Sequence, residues 1–152
     1  ERLEDILSNV GVPFISLEVR NTTGATIAKG TPVRISGYTT KPLIAKCDSD
    51  DLTTFPVVGI TQSAISTGTD GVIIISGVFE GIDTSSYTAG EILYVANGGG
   101  LTSIKPTGTT ISRVGYTLKP SLNQHKSSKK RFQFVCMWKR IVRLRLVLWK
   151  IF

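Results

Sequence analysis

The chain has 152 residues, 41% of them apolar and 19% charged, with 18 Lys and Arg, 11 Asp and Glu, 15 glycines and two cysteines. Those values fit one globular domain large enough to bury a core, and the Gly, Ser and Thr content points to strands and turns. No run of about 18 uncharged apolar residues occurs, which excludes a membrane-spanning helix, and Cys47 and Cys136 match no metal or redox spacing, so both are read as reduced, partly buried thiols, with a single disulfide as the lesser alternative.

The net charge of +7 is an average over two unlike blocks. Residues 1–118 hold eight bases against all eleven acids, a net of −3, whereas residues 119–152 hold ten bases and no acid. The second block also contains both tryptophans, the one Met and the one His. Three regions follow: an N-terminal connector over 1–13, a β domain over 14–118 and a basic tail over 119–152.

Leu3, Ile6, Leu7 and Val10 recur at helical spacing before Gly11 and Pro13, predicting a short helix. It is read as a cap on a barrel end or as the last heptad of an upstream coiled coil. The chain starts at Glu1, with neither Met nor signal peptide, which predicts a fragment or a processed product. From Phe14 to Arg20 the residues alternate, with Ile15, Leu17 and Val19 on one side and Phe14, Ser16, Glu18 and Arg20 on the other, the pattern of a half-buried strand. Asn21-Thr22-Thr23-Gly24 then turns the chain; it also fits a glycosylation sequon, but the turn is the preferred reading.

An internal repeat follows. Lys29-Gly30-Thr31-Pro32-Val33-Arg34-Ile35 parallels Ala89-Gly90-Glu91-Ile92-Leu93-Tyr94-Val95, each a Gly turn leading into an alternating strand. Each copy ends on a Val-Gly step, Val58-Gly59-Ile60-Thr61 and Val114-Gly115-Tyr116-Thr117. A hairpin and a return strand, used twice, predict an all-β fold: a small barrel or sandwich built from two similar halves. The Val-Gly steps are expected to mark bulges. Between the copies lies Gly71-Val72-Ile73-Ile74-Ile75-Ser76-Gly77-Val78-Phe79-Glu80-Gly81-Ile82, a β-branched run read as a buried strand, or two strands broken at Ser76-Gly77, packed by both halves.

Chemistry is scarce. Asp48-Ser49-Asp50-Asp51 is the one acidic cluster, but it lacks the Gly and closing Glu of a calcium loop and is read as a solvated turn. Gly98-Gly99-Gly100 precedes Leu101 rather than Gly-Lys-Ser/Thr, so it is a flexible hairpin tip and no phosphate cradle. No Gly-x-Ser-x-Gly elbow exists, and the lone His125 in the tail cannot complete a Ser/His/Asp triad in the body. Glu80, Asp83 and Glu91 are the carboxylates left for glycoside chemistry, and each is read as a solvated strand-end acid. The chain is therefore expected to be no enzyme and to use no cofactor or metal.

Val19-Arg20-Asn21-Thr22-Thr23-Gly24-Ala25-Thr26-Ile27-Ala28-Lys29-Gly30-Thr31-Pro32-Val33, followed by Val58-Gly59-Ile60, Gly77 to Ser85, Ala89 to Val95 and Val114-Gly115-Tyr116, resembles a module of tailed-bacteriophage virion proteins, particularly tail-fibre-like ones. It is also similar to small β-barrel capsid decoration proteins. The resemblance covers roughly residues 14–118 and implies a structural virion component, a homo-oligomer with a trimer favoured, located in the phage particle. A tail-fibre or attachment domain, with a host surface receptor among its partners, is the leading expectation. The alternatives are a capsid decoration protein that stabilises the head, or a basic-tailed nucleic-acid or carbohydrate-binding module, with nucleic acid ranked lowest.

The tail departs from that pattern after Leu118. Arg131 to Trp138 fits a strand and is a candidate for the last strand of the domain, and Ile141 to Phe152 alternates apolar residues with Arg143 and Arg145. Three readings stand: an intersubunit strand whose contact residues are Trp138, Arg143, Arg145 and Trp149; a surface for nucleic acid or anionic lipid; or an altered coding end.

Overall fold

The computed structural model describes residues 14–107, 110–118 and 134–136. The helix expected over 1–10 and most of the basic tail lie outside the described residues. What is described is all-β, with a single turn of 3-10 helix at Leu52–Thr54. The strands are β1 (Ile15–Asn21), β2 (Pro32–Tyr38), β3 (Pro42–Lys46), β4 (Gly59–Thr61), β5 (Asp70–Val78), β6 (Ile92–Val95), β7 (Leu101–Thr102), β8 (Arg113–Thr117) and β9 (Phe134–Cys136).

Strands β1, β3, β2, β4 and β5 pair in that order, and β5 pairs back onto β1, so five strands close a barrel. Closure removes every free edge on that side of the molecule. The seam is uneven. β1 and β5 are antiparallel over almost their whole length, from Ile15↔Ser76 to Arg20↔Asp70, whereas β1 and β3 are parallel and share only Arg20↔Leu43 and Asn21↔Ile44. Beyond Ser76, β5 changes partner: Gly77 and Val78 pair with β9, and β9, β8, β6 and β7 continue as an open sheet. Gly77 sits at φ +124°, a conformation that glycine adopts without a Cβ penalty, at the point where the strand passes from barrel to sheet. β5 is thus one strand through Ser76-Gly77, not two.

The pairing lets the two matched segments be set side by side. In the first copy β2 lies between β3 and β4, with Pro32↔Ile60 and Val33↔Gly59; in the second β6 lies between β7 and β8, with Ile92↔Tyr116 and Leu93↔Gly115. The flanking bonds match as well: Gly30 N donates to Thr61 O at 2.9 Å and Thr61 N to Thr31 O at 3.1 Å, while Gly90 N donates to Thr117 O at 2.6 Å and Thr117 N to Glu91 O at 2.9 Å. The two copies do not close one barrel between them, however. The first closes a barrel with β1 and β5, and the second forms the open sheet.

Alternation along the strands creates two cores. Val19, Ile27, Val33, Ile44, Ile65 and Ile73 fill the barrel interior. Ile74, pointing the opposite way from Ile73, joins Cys47, Val57, Ile60 and Phe79 in a second core against Leu93, Val95 and Val114 of the open sheet. Each such aliphatic side chain contributes about 1.5–3 kcal/mol when removed from water. Cys47 is fully buried and unpaired, and burial pushes its thiol up to about 12, so it behaves as an apolar side chain and not as a nucleophile.

The Val-Gly step at Gly59 is no bulge. A Cβ there would stand 2.6 Å from the carbonyl oxygen of Ile74, so β4 can approach β5 only without a side chain. The second step does coincide with a register shift: Leu93 pairs with Gly115 and Tyr94 with Arg113, which leaves Val114 as the extra residue, and the other shifts fall between Ile15 and Ser16 and between Ile35 and Gly37.

Two outcomes follow for stability. Ile74→Asp, at 4% exposure, places an unpaired charge between barrel and sheet and is expected to cost about 3–5 kcal/mol, a large part of a typical domain's 5–15. Ile104→Asp, at 78% exposure, is expected to stay within about 0.5 kcal/mol of the parent; chemical denaturation followed by circular dichroism compares them. Gly59→Ala should lower the denaturation midpoint by about 1–3 kcal/mol through the clash with Ile74. Gly37→Ala, whose added carbon meets only Leu43 Cδ1 at 3.5 Å, should leave the midpoint nearly unchanged.

Candidate functional site

The polar residues singled out from the sequence are occupied in holding loops. Asp51 caps the 3-10 turn, its Oδ1 accepting from Thr53 N at 2.9 Å and from Thr53 Oγ1 at 2.6 Å, and these bonds hold its carboxyl below the usual range. Asp48 Oδ1 accepts from Asp50 N at 3.0 Å and from Gly98 N at 2.9 Å. Ser49 N donates to Ala96 O at 3.4 Å, and the buried Ser49 hydroxyl donates to Asn97 Oδ1. The acidic cluster and the glycine triad, 50 residues apart at Asp48 and Gly98, are therefore one tie between the barrel and the open sheet. Gly98, Gly99 and Gly100, at φ +76°, +92° and +90°, form the turn, and Asp48 pins the tip expected to be flexible.

Two of the carboxylates weighed for glycoside chemistry, Asp83 and Glu91, hold their own loops. Asp83 Oδ1 accepts from Ser85 N at 2.9 Å, and Glu91 Oε2 accepts from Thr88 N at 2.7 Å. These bonds depress both carboxyls, Asp83 through the Ser85 side chain and backbone and Glu91 first through the Thr88 backbone. A general acid needs the opposite shift. Among the described residues no cluster of three His, Cys, Asp or Glu is placed to hold a metal ion. Of the described tyrosines, Tyr38 is 72% exposed and Tyr94 8%, and the Tyr87 hydroxyl donates to Leu101 O at 3.3 Å. Asn21 is fully buried, its Nδ2 donating to Ala25 O at 2.8 Å and to Ile65 O at 2.7 Å, which closes the sequon to modification and leaves the turn.

What remains is surface. Across the thin β1–β3 seam runs a charge cluster: Arg20 Nη1 to Asp70 Oδ1 at 2.8 Å, and Lys41 Nζ to both Asp70 Oδ2 and Glu18 Oε1 at 2.7 Å. Arg20 Nη2 also donates to Gly68 O at 2.7 Å. Lys41 leaves the β2–β3 turn and clamps the start of β3 onto β1 and β5. The hydrogen bonds to Asp70, then Glu18, raise its pKa, and the bond from Lys41 lowers that of Asp70.

Two clefts border the second core. The larger, of about 390 Å³, has a floor of Ile74, Val78 and Phe79 and is bordered by Phe14, Lys29, Gln62 and Glu80. Phe14 and Ile15 remain 47% and 63% exposed beside it. Lys29 Nζ lies 5.5 Å from the centroid of the Phe79 ring, within cation–π range. The smaller, of about 240 Å³, lies between Lys29, Ile82, Asp83, Tyr87 and Leu101. Sequence reasoning passed over the larger cleft, although it carried one signal: the alternation of β1 sets Phe14 among Ser16, Glu18 and Arg20, an apolar residue on a polar face. The predicted contact residues Trp138, Arg143, Arg145 and Trp149 lie outside the described residues.

The charge cluster has a pH signature. A depressed Asp70 contributes stability that is present above the unfolded aspartate pKa, about 3.9, and is lost as pH falls through its lower folded value. The raised Lys41 contributes below the unfolded lysine value, about 10.4, and that contribution is lost as pH rises through the higher folded one. Asp70→Asn is therefore expected to melt below the parent at neutral pH, and the gap should close on acidification until Asp70 itself is protonated. Thermal melts at low salt measure it, and added salt should narrow the gap at neutral pH.

Comparison with families of known proteins matches residues 13–131 to the phage cement protein family. Comparison with curated proteins and with solved structures finds no match. The family match does not extend to tail fibres, so the leading sequence expectation gives way to the alternative of capsid decoration. With well over half of its length matched, the chain belongs to the phage cement protein family and is a phage virion structural protein.

Proposed function

We propose that the protein is a non-enzymatic cement of the phage head, binding the outside of the capsid and holding neighbouring shell subunits together. The observation that carries this reading is the family match over residues 13–131. The polar geometry supports it. Asp48, Asp51, Asp83 and Glu91 each accept hydrogen bonds within their own loops or across to the next one, which rigidifies the surface.

A cement works by adding contact area between neighbours, so its own body must stay rigid while its outer faces stay available. The closed barrel and the second core supply the rigid body. We read the two three-stranded units as copies of one module, supported by their shared register, which lay comparable surfaces on two sides of β5. The basic residues of 119–152, including Arg143 and Arg145 with Trp138 and Trp149, are proposed to contact acidic surface on a neighbouring subunit, as ten bases without an acid favour. The virion is the location this function requires. No helix among the described residues is long and apolar enough to cross a membrane.

Heads prepared without the protein and then supplied with it provide the test. The protein is expected to bind them saturably and to raise the temperature at which packaged DNA becomes accessible to an intercalating dye. Heads that bind none of it, or that release DNA at an unchanged temperature when saturated, would contradict the proposal.

A further inference from the structure

We infer that Asn97-Gly98 is a self-modification site, where Asp48 and Ser49 of the same chain promote closure of the Asn97 side chain onto the Gly98 nitrogen. Asn97-Gly98 is the one Asn-Gly step in the sequence, and both residues are exposed in the β6–β7 turn. Ring closure needs a side-chain amide next to a backbone nitrogen that no side chain crowds. A Cβ at Gly98 would meet nothing within 4 Å, so the approach to its nitrogen is open.

Two groups from the facing loop address the atoms that react. Asp48 Oδ1 accepts from Gly98 N at 2.9 Å, the reach of a general base on the proton it removes. The Ser49 hydroxyl donates to Asn97 Oδ1, the oxygen that becomes negative when Asn97 Cγ is attacked. Both groups are fixed in advance. Ser49 is fully buried, its N–H donating to Ala96 O and its carbonyl accepting from Thr110 N, each at 3.4 Å. Asp48 N donates to Thr54 Oγ1 at 2.8 Å, and Asp48 Oδ1 also accepts from Asp50 N at 3.0 Å. One bond would tie the two loops; two, on the nucleophile and on the oxygen of the electrophile, are the pair that ring closure requires.

The step balances with one water. Gly98 N attacks Asn97 Cγ as Asp48 takes the N–H proton, and the Ser49 hydroxyl holds the oxyanion at Oδ1. The Cγ–Nδ2 bond then breaks, and Nδ2 leaves as ammonia with the proton from Asp48. Water opens either carbonyl–nitrogen bond of the resulting imide. Opening at Cγ leaves aspartate at position 97, and opening at the main-chain carbonyl leaves a backbone that runs through Cγ. Either product sets a new carboxylate beside Asp48, at the tie between barrel and open sheet. In a virion protein, which is not replaced once the particle is built, the change accumulates with age.

Ageing the purified full chain at neutral pH and physiological temperature tests this. Peptide mapping by mass spectrometry, with enzymatic methylation of the β-linked product, follows the fate of Asn97. The native wild type is expected to convert about tenfold faster than the same chain in urea, where Asp48 and Ser49 no longer flank the step. Asp48→Asn and Ser49→Ala should each slow the native reaction by about tenfold. Mere loosening of the turn acts in the opposite direction, because a freer turn reaches the ring-closing geometry more often. Native conversion no faster than in urea overturns the inference, and that comparison needs no variant to fold. So does either variant that keeps the circular dichroism of the parent and converts as fast as the wild type or faster.

Discussion

The structure depends on β5 serving two sheets. Along Asp70–Ser76 it closes the barrel against β1 and β4; at Gly77 and Val78 it joins the open sheet through β9. Because side chains alternate, the same strand sends Ile73 into the barrel interior and Ile74 into the core beneath the sheet. The β-branched run is thus apolar on both faces for a reason: each face has its own partner to cover. A strand with one wet face would have alternated. Gly77, at φ +124°, lets the backbone change partners without a Cβ standing in the way.

Features that local physics controls were legible from the residues. The alternation of Phe14 to Arg20 marks β1, the β-branched run marks β5, and the matched Gly-strand-Gly segments mark β2 and β6 with the return strands β4 and β8. Features set by long-range pairing were not. Nothing near Arg20 or Asn21 announces a parallel partner at Leu43 and Ile44, and that one contact, with the β1–β5 pairing, puts β2, β3 and β4 in a closed barrel while β6, β7 and β8 stay in an open sheet. Gly59 shows the same limit. Its reason to be glycine is an oxygen of Ile74, fifteen residues on, so sequence alone suggested a bulge where there is a close approach. The site was legible mainly by what it lacked, because a loop carboxylate that caps its neighbours looks the same in sequence as one that faces a ligand. Asp48 became interpretable only once Gly98 was seen to donate to it.

The barrel's weakest seam is also where its surface charges gather. β1 and β3 share two residue pairs, and Lys41 reaches across that short ladder to Glu18 and Asp70 while Arg20 holds Asp70 from the other side. Exposed ion pairs add little singly, but Asp70 is bound by two cations at once, so the ordering cost of its side chain is met once for two contacts. The buried Asn21 does the corresponding work from inside, its amide bridging Ala25 O and Ile65 O while its own carbonyl accepts from Gly68 N at 2.7 Å. Between them, a turn, a strand start and a strand end are held at one place, where backbone pairing alone is thin.

Rigidity of this kind bears on the proposed cement function, because a cement acts through the contacts that its frame presents. Binding to a shell costs less free energy when the bound conformation already exists, and each loop tied by Asp48, Asp51, Asp83 or Glu91 is one fewer segment to order on contact. The ties share one form: Asp48, Asp51, Asp83 and Glu91 each accept from a backbone N–H, of Gly98, Thr53, Ser85 and Thr88 respectively. The large apolar side chains left in water, among them Phe14, Ile15, Leu52 and Ile104, offer area for contact with another surface.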